Sequence, residues 1–176
     1  LRNGTVRFIA RECSALQRIC TYSHLPWSLD SHTLIDLAGG CRHLVELDCG
    51  CNWKASALYT ICDVLGSRLE RLSLGSLVFT AEQDFAPLRL GPWLRLRHFR
   101  IGGFHGVCGA QKPNGHMLSL ECPVLESFSC IDENDGIELG MGALANLFVR
   151  LPPLKELDLM GLKGLLKRVS RDSRDR

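Results

Sequence analysis

The stretch LIDLAGGCRHLVELDCGCN, residues 34–52, sets a helix-like pattern directly before a short strand-like one. Leu34, Ile35, Leu37 and Ala38 recur at helical spacing, with Asp30 or Ser31 available as a cap. Gly39-Gly40 closes the helix and Cys41 leads into LVELDC, in which Leu44, Leu47 and Cys49 stand at offsets 0, 3 and 5.

The junction recurs. Segments with the same apolar offsets begin at Leu16 (LQRICTYSH), Leu44 (LVELDCGCN), Leu69 (LERLSLGSL), Leu96 (LRHFRIGGF), Leu125 (LESFSCIDE) and Leu154 (LKELDLMGL), spaced 28, 25, 27, 29 and 29 residues apart. Of the 18 positions at those offsets only Thr21 is not apolar, where composition alone would fill about eight. Three residues before each start stand Cys13, Cys41, Gly66, Trp93, Cys122 and Leu151, so three of nine cysteines take equivalent places.

A period of 20–29 residues carrying L-x-x-L-x-L is that of the leucine-rich repeat, a strand-plus-helix unit that buries its apolar face only against its neighbours. The expected fold is therefore α/β: a right-handed solenoid, a segment of an α/β horseshoe, with about six strand units and outer helices or irregular connections. Residues 1–166 form the repeat domain, read as a fragment of a longer array whose true N-terminus is missing. Residues 167–176, rich in basic side chains, are a tail expected to be disordered.

Outer helices are expected over residues 5–13, through Val6, Ile9, Ala10 and Cys13, over 56–65, through Leu58, Ile61, Cys62 and Leu65, and over 137–150. Pro87 and Pro92 interrupt the fourth unit, so a short turn or irregular connection is expected there. Residues 102–115, GGFHGVCGAQKPNG, read as a loop, either an ordinary insertion or a binding loop.

The segments LAGGCRHLVELDCGCN, IARECSALQRICTYS and LECPVLESFSC resemble the cysteine-containing leucine-rich repeats of F-box substrate receptors and related repeat-only adaptors. That resemblance implies a protein-protein interaction scaffold, the substrate-recognition repeats of a ubiquitin ligase adaptor. Immune-type receptors use similar segments. The family's eighth position, an Asn or Cys that bonds the next turn, is matched by type only at Asn52. Attachment to a ubiquitin ligase is expected to come from sequence outside residues 1–176, since no F-box-like helical segment lies within them.

Side chains alternate along a strand, so offsets 2, 4 and 6 face away from the core and line the concave sheet. The residues projected there are Arg18, Cys20 and Tyr22; Glu46, Asp48 and Gly50; Arg71, Ser73 and Gly75; His98, Arg100 and Gly102; Ser127, Ser129 and Ile131; and Glu156, Asp158 and Met160. Twelve of them are the candidate partner-binding set: Arg18, Tyr22, Glu46, Asp48, Arg71, Ser73, His98, Arg100, Ser127, Ser129, Glu156 and Asp158. Acidic Glu46 and Asp48 stand beside basic Arg71, His98 and Arg100. Cross-strand pairing that keeps the sheet soluble explains the same charges equally well.

Other classes have weaker support. Arg89, Arg95, Arg97, His98 and Arg100, with Trp93 and Phe99 between, form the densest basic and aromatic run and sustain a nucleic-acid alternative. The repeat assigns Trp93 and Phe99 to the core, and a net charge of +2 asks for no polyanion. Cys49 and Cys51 stand too close for a zinc pair, no P-loop follows the glycines, and no acid partner or oxyanion donor is placed near His98, His105, His116 or Cys108. No enzyme activity, metal or cofactor is expected. Lys167, Arg168 and Arg171 around Ser170 and Ser173 resemble basic-directed kinase sites. No run approaches the roughly 18 apolar residues of a membrane span. An odd cysteine count at core positions suits free thiols in a reducing cytoplasmic or nuclear compartment, in a monomeric fragment.

Overall fold

The computed structural model describes residues 3–21, 31–50, 53–79, 88–106, 118–131 and 151–160. It is an α/β arrangement: six strands in parallel, ordered β1-β2-β4-β6-β8-β9, with a two-residue strand β3 paired to β4. They are β1 (Arg18–Thr21), β2 (Glu46–Cys49), β3 (Trp53–Lys54), β4 (Arg71–Phe79), β6 (His98–Gly106), β8 (Ser127–Cys130) and β9 (Glu156–Asp158). Helices α1 (Asn3–Glu12), α2 (Ser31–Gly40) and α3 (Ala55–Leu65) precede β1, β2 and β4. Each of the six leucine-anchored segments therefore contributes one strand.

One backbone device repeats at every junction. The carbonyl one residue past the segment start accepts two successive N–H groups of the next strand: Gln17 O from Val45 and Glu46, Val45 O from Glu70 and Arg71, and Glu70 O from Arg97 and His98. Arg97 O accepts from Glu126 and Ser127, and Glu126 O from Lys155 and Glu156, all at 2.8–3.1 Å. It locks the register. Arg18 stands opposite Glu46, Glu46 opposite Arg71, Arg71 opposite His98, His98 opposite Ser127 and Ser127 opposite Glu156.

The core lies between sheet and helices. Offset 3 contributes Ile19, Leu47, Leu72, Phe99 and Phe128, and offset 5 Cys49, Leu74, Ile101 and Cys130, all buried. Phe99 and Phe128 meet with ring centroids 6.0 Å apart at 59°, within the range of favourable tilted aromatic pairs. On α3, Leu58, Ile61, Cys62 and Leu65 form the buried stripe expected at i, i+3, i+4 and i+7. Burial thins at the ends: Leu16 and Leu154 are only partly buried and Leu157 is 51% exposed.

Two features depart from the sequence reading. The loop expected from Gly102 is strand as far as Gly106, because β6 continues alongside β4, pairing Ser76 with Gly103 through Phe79 with Gly106. Gly102 serves close packing: a Cβ there would lie 3.2 Å from the Gly75 backbone. Residues 107–115 lie outside the described residues. In the fourth and fifth units the short strands β5 (Leu88–Leu90) and β7 (Leu118–Leu120) pair in a separate parallel two-stranded sheet, and Trp93 N donates to Glu121 O at 2.9 Å. A three-residue strand fits between Pro87 and Pro92 where a helix does not. The helix expected over 137–150 and the tail from 167 lie outside the described residues.

The cysteine row is partly buried. Cys41 and Cys122 are buried, as are Cys49, Cys62 and Cys130, whereas Cys13 and Cys20 are exposed. Burial pushes the thiols of Cys41, Cys62 and Cys122 up from their usual range, which suppresses the reactive thiolate. Brief alkylation of the native protein is therefore expected to modify Cys13 and Cys20, and Cys41, Cys62 and Cys122 only after denaturation. Mass mapping of the adducts checks this, and native labelling of Cys122 would contradict the packing.

Candidate functional site

Alternation along the strands carries the polar side chains to the face opposite the core. There they line an open groove of about 720 Å³. Across the strand order the groove reads in columns: Glu46 and Asp48 on β2, Arg71 and Ser73 on β4, His98 and Arg100 on β6, Ser127 and Ser129 on β8, and Glu156 and Asp158 on β9. The structure thus brings ten of the twelve sequence-selected residues to one groove. Arg18 stands just outside it on β1, and Tyr22 lies outside the described residues.

The electrostatics divide the face. Glu46 is well enclosed, its side chain 15% exposed, with an arginine on either side in register. Arg18 engages its Oε2 through Nη2 at 2.6 Å and Nε at 2.7 Å, while Arg71 Nη1 stands 4.0 Å from Oε1. The first contact is a two-point grip of the kind arginine makes well; the second is loose. Asp158 accepts from the Ser129 hydroxyl at 3.4 Å and from its own turn through Met160 N at 3.2 Å. The side chains of Arg100 and His98 have no hydrogen bond or ion pair among the described residues. The centre of the groove therefore keeps the Arg100 guanidinium available, while Glu46 in the first acid column is held by Arg18.

A second charged row runs along the strand entries. Arg95 pairs with Glu70 at 3.0 Å, and Glu126 takes Arg97 at 2.6 Å and Lys155 at 3.0 Å. Exposed pairs of this kind are screened by solvent and contribute little each. The hydrogen bond from Lys155, with its charge and that of Arg97, holds the Glu126 carboxyl below the usual carboxylate range. Because the folded-state value is depressed, this stabilisation is full at neutral pH and is lost as pH falls below about 4 toward the folded value. Glu126→Gln should therefore lower stability slightly at pH 7 and make no difference in strong acid, read by urea melts at both pH values; an equal deficit at both would contradict the assignment.

These pairs bear on the basic run. Arg95 and Arg97 already face carboxylates, and Trp93 and Phe99 are buried. Of that run's basic residues the groove receives His98 and Arg100, and Phe99 between them borders it while only 2% exposed. The aromatics it would need for base stacking are inside the core.

Several contributions were not legible in the sequence. Trp53, fully buried, donates its indole N–H to Cys49 O at 3.4 Å and so ties β3 to the end of β2; its neighbour Asn52 lies outside the described residues. Arg68 bonds carbonyls of the preceding unit, Arg42 O at 3.1 Å and Ala38 O near the end of α2. Desolvation lowers its pKa, and a guanidinium suits the negative end of the helix. Ile131, by contrast, is projected to this face by its offset-6 position and lines the groove as an apolar spot.

Among the described residues no group of three or more His, Cys, Asp or Glu is placed to hold a metal ion, and no helix is long and apolar enough to cross a membrane. Comparison of the chain with family models, curated proteins and solved structures returns no match.

Proposed function

We propose that the chain is a leucine-rich repeat interaction scaffold, the substrate-recognition repeats of an F-box-type ubiquitin ligase adaptor, and that it binds a protein partner on the concave strand face. The observation that carries the binding reading is the groove itself: in-register columns of polar side chains on the face opposite the core, where among the described residues no helix lies and the Arg100 and His98 side chains are uncommitted. A sheet face that only needed solubility would pair its charges across strands, as Arg18 and Glu46 do. The adaptor assignment rests on the sequence resemblance, and the six segments, their spacing and the repeated carbonyl bridge support the solenoid.

The test is selection of random peptides displayed on phage against the wild-type protein and against Ser73→Trp, which places an indole in the middle of the groove. Far-UV circular dichroism verifies that the variant is folded. The expected result is a set of related sequences enriched on the wild type and lost on the filled groove. Enrichment that is the same on both proteins would overturn the reading.

A further inference from the structure

Given that the groove binds a protein segment, its charge order specifies the chemistry of that segment. Carboxylates mark both flanks, Glu46 and Asp48 on β2 and Glu156 and Asp158 on β9, and guanidiniums occupy the interior, Arg71 on β4 and Arg100 on β6, with the His98 imidazole beside them. Between the cations and the second acid flank stand the hydroxyls of Ser127 and Ser129. We infer that the groove takes an extended peptide whose centre is anionic and whose two flanks are cationic.

The spacing follows from sheet geometry. Neighbouring strands lie about 4.8 Å apart and an extended chain advances about 3.3 Å per residue. A peptide crossing the strands with an acidic side chain between β4 and β6 reaches β2 after about 7 Å, two residues, on one side. On the other side it passes β8 after about 7 Å, two residues, and reaches β9 after about 12 Å, four residues. These are all even steps, so alternation turns the four side chains toward the groove together. The pattern is Lys or Arg, one residue, Asp or Glu, three residues, Lys or Arg, with a small or polar side chain midway in the longer gap. The third row leaves headroom, since Gly75 and Gly102 present backbone only.

Magnitudes favour a protein segment over a nucleic acid strand. The groove lining carries four carboxylates against two guanidiniums. A uniform polyanion would set phosphates over both acid flanks, within the screening length of about 8 Å at physiological salt. A peptide of alternating sign meets every column with its opposite. Arg100 makes the central contact, free of any ion pair among the described residues, and Arg71, loosely held 4.0 Å from Glu46, turns toward the same anion.

The sequences enriched on wild-type protein test this directly, followed by fluorescence anisotropy with a synthetic peptide of the stated pattern. The inference expects cationic, anionic and cationic residues at relative positions −2, 0 and +4. Replacing the central Glu of that peptide by Gln should weaken binding about tenfold or more, as loss of a charge-assisted contact does. An Arg71→Glu/Arg100→Glu protein should prefer the peptide with a central Lys. Groove-dependent enrichment of sequences lacking this charge order would overturn the inference and leave the scaffold reading standing. An oligonucleotide binding the groove more tightly than the peptide would also overturn it. Loss of groove dependence altogether would remove the scaffold reading and this inference together.

Discussion

Gly40→Ala is expected to destabilise the protein by about 1–3 kcal/mol or more, the range of overpacking in a core that cannot give way. A Cβ at Gly40 would sit 2.0 Å from the Ala10 carbonyl oxygen, a backbone atom of the neighbouring helix, so α1 and α2 would have to separate. The adjacent Gly39→Ala is the control. A Cβ at Gly39 meets no atom within 4 Å, and alanine there removes the backbone-entropy cost of glycine, so this variant should gain about 0.5–1 kcal/mol. Urea unfolding of the two variants decides the matter; equal effects would contradict the α1–α2 packing. The sequence reading took both glycines as one helix stop. Only the position of the preceding unit distinguishes them.

The second large effect is expected at Trp53. Trp53→Ala should cost about 3–5 kcal/mol, as large aromatic truncations in packed cores do, because the ring is fully buried against the cluster that contains Leu47, Leu72 and Leu77. Trp53→Phe keeps most of the ring and removes the N–H donated to Cys49 O, so it should cost about 1 kcal/mol for the hydrogen bond together with a small packing loss. Thermal melts of the pair separate filling from bonding. If both variants lost the same amount, the hydrogen bond rather than the ring would be the main contribution of Trp53.

Much of this arrangement was legible because it is periodic. Leu44, Leu47 and Cys49 and their counterparts announce strand, core side and spacing together, and the register of the sheet follows from aligning them. The columns of the groove follow in turn, since alternation alone sends Glu46, Arg71, His98, Ser127 and Glu156 to one face. What stayed hidden depends on contacts between units. That Arg18 grips Glu46 while Arg71 stands back is a matter of rotamer and distance, which a single sequence does not encode position by position. The same holds for Arg68, whose guanidinium reaches backbone carbonyls 26 and 30 residues earlier, one in α2 and one just past it. The glycines from Gly102 misled for a different reason. Glycine is a loop signal by composition, yet here Gly75 and Gly102 let β4 and β6 approach and both strands continue for nine residues.

The outer surface of the first three units has its own pattern. Phe8, Ile35 and Tyr59 are exposed on α1, α2 and α3, and Arg7 pairs with Asp36 at 3.1 Å between the first two. These side chains lie on the helical side of the core, away from the groove, and make that side the natural comparison surface for any binding experiment. A partner read by the strands leaves them unchanged.

Titration of a groove-selected peptide into isotopically labelled protein, followed residue by residue through amide chemical shifts, tests the central claim most directly. The account predicts that the largest shifts fall on Glu46, Asp48, Arg71, Ser73, His98, Arg100, Ser127 and Ser129, with α1, α2 and α3 unaffected. Shifts concentrated on Phe8, Ile35 and Tyr59, with the strand residues unmoved, would contradict it.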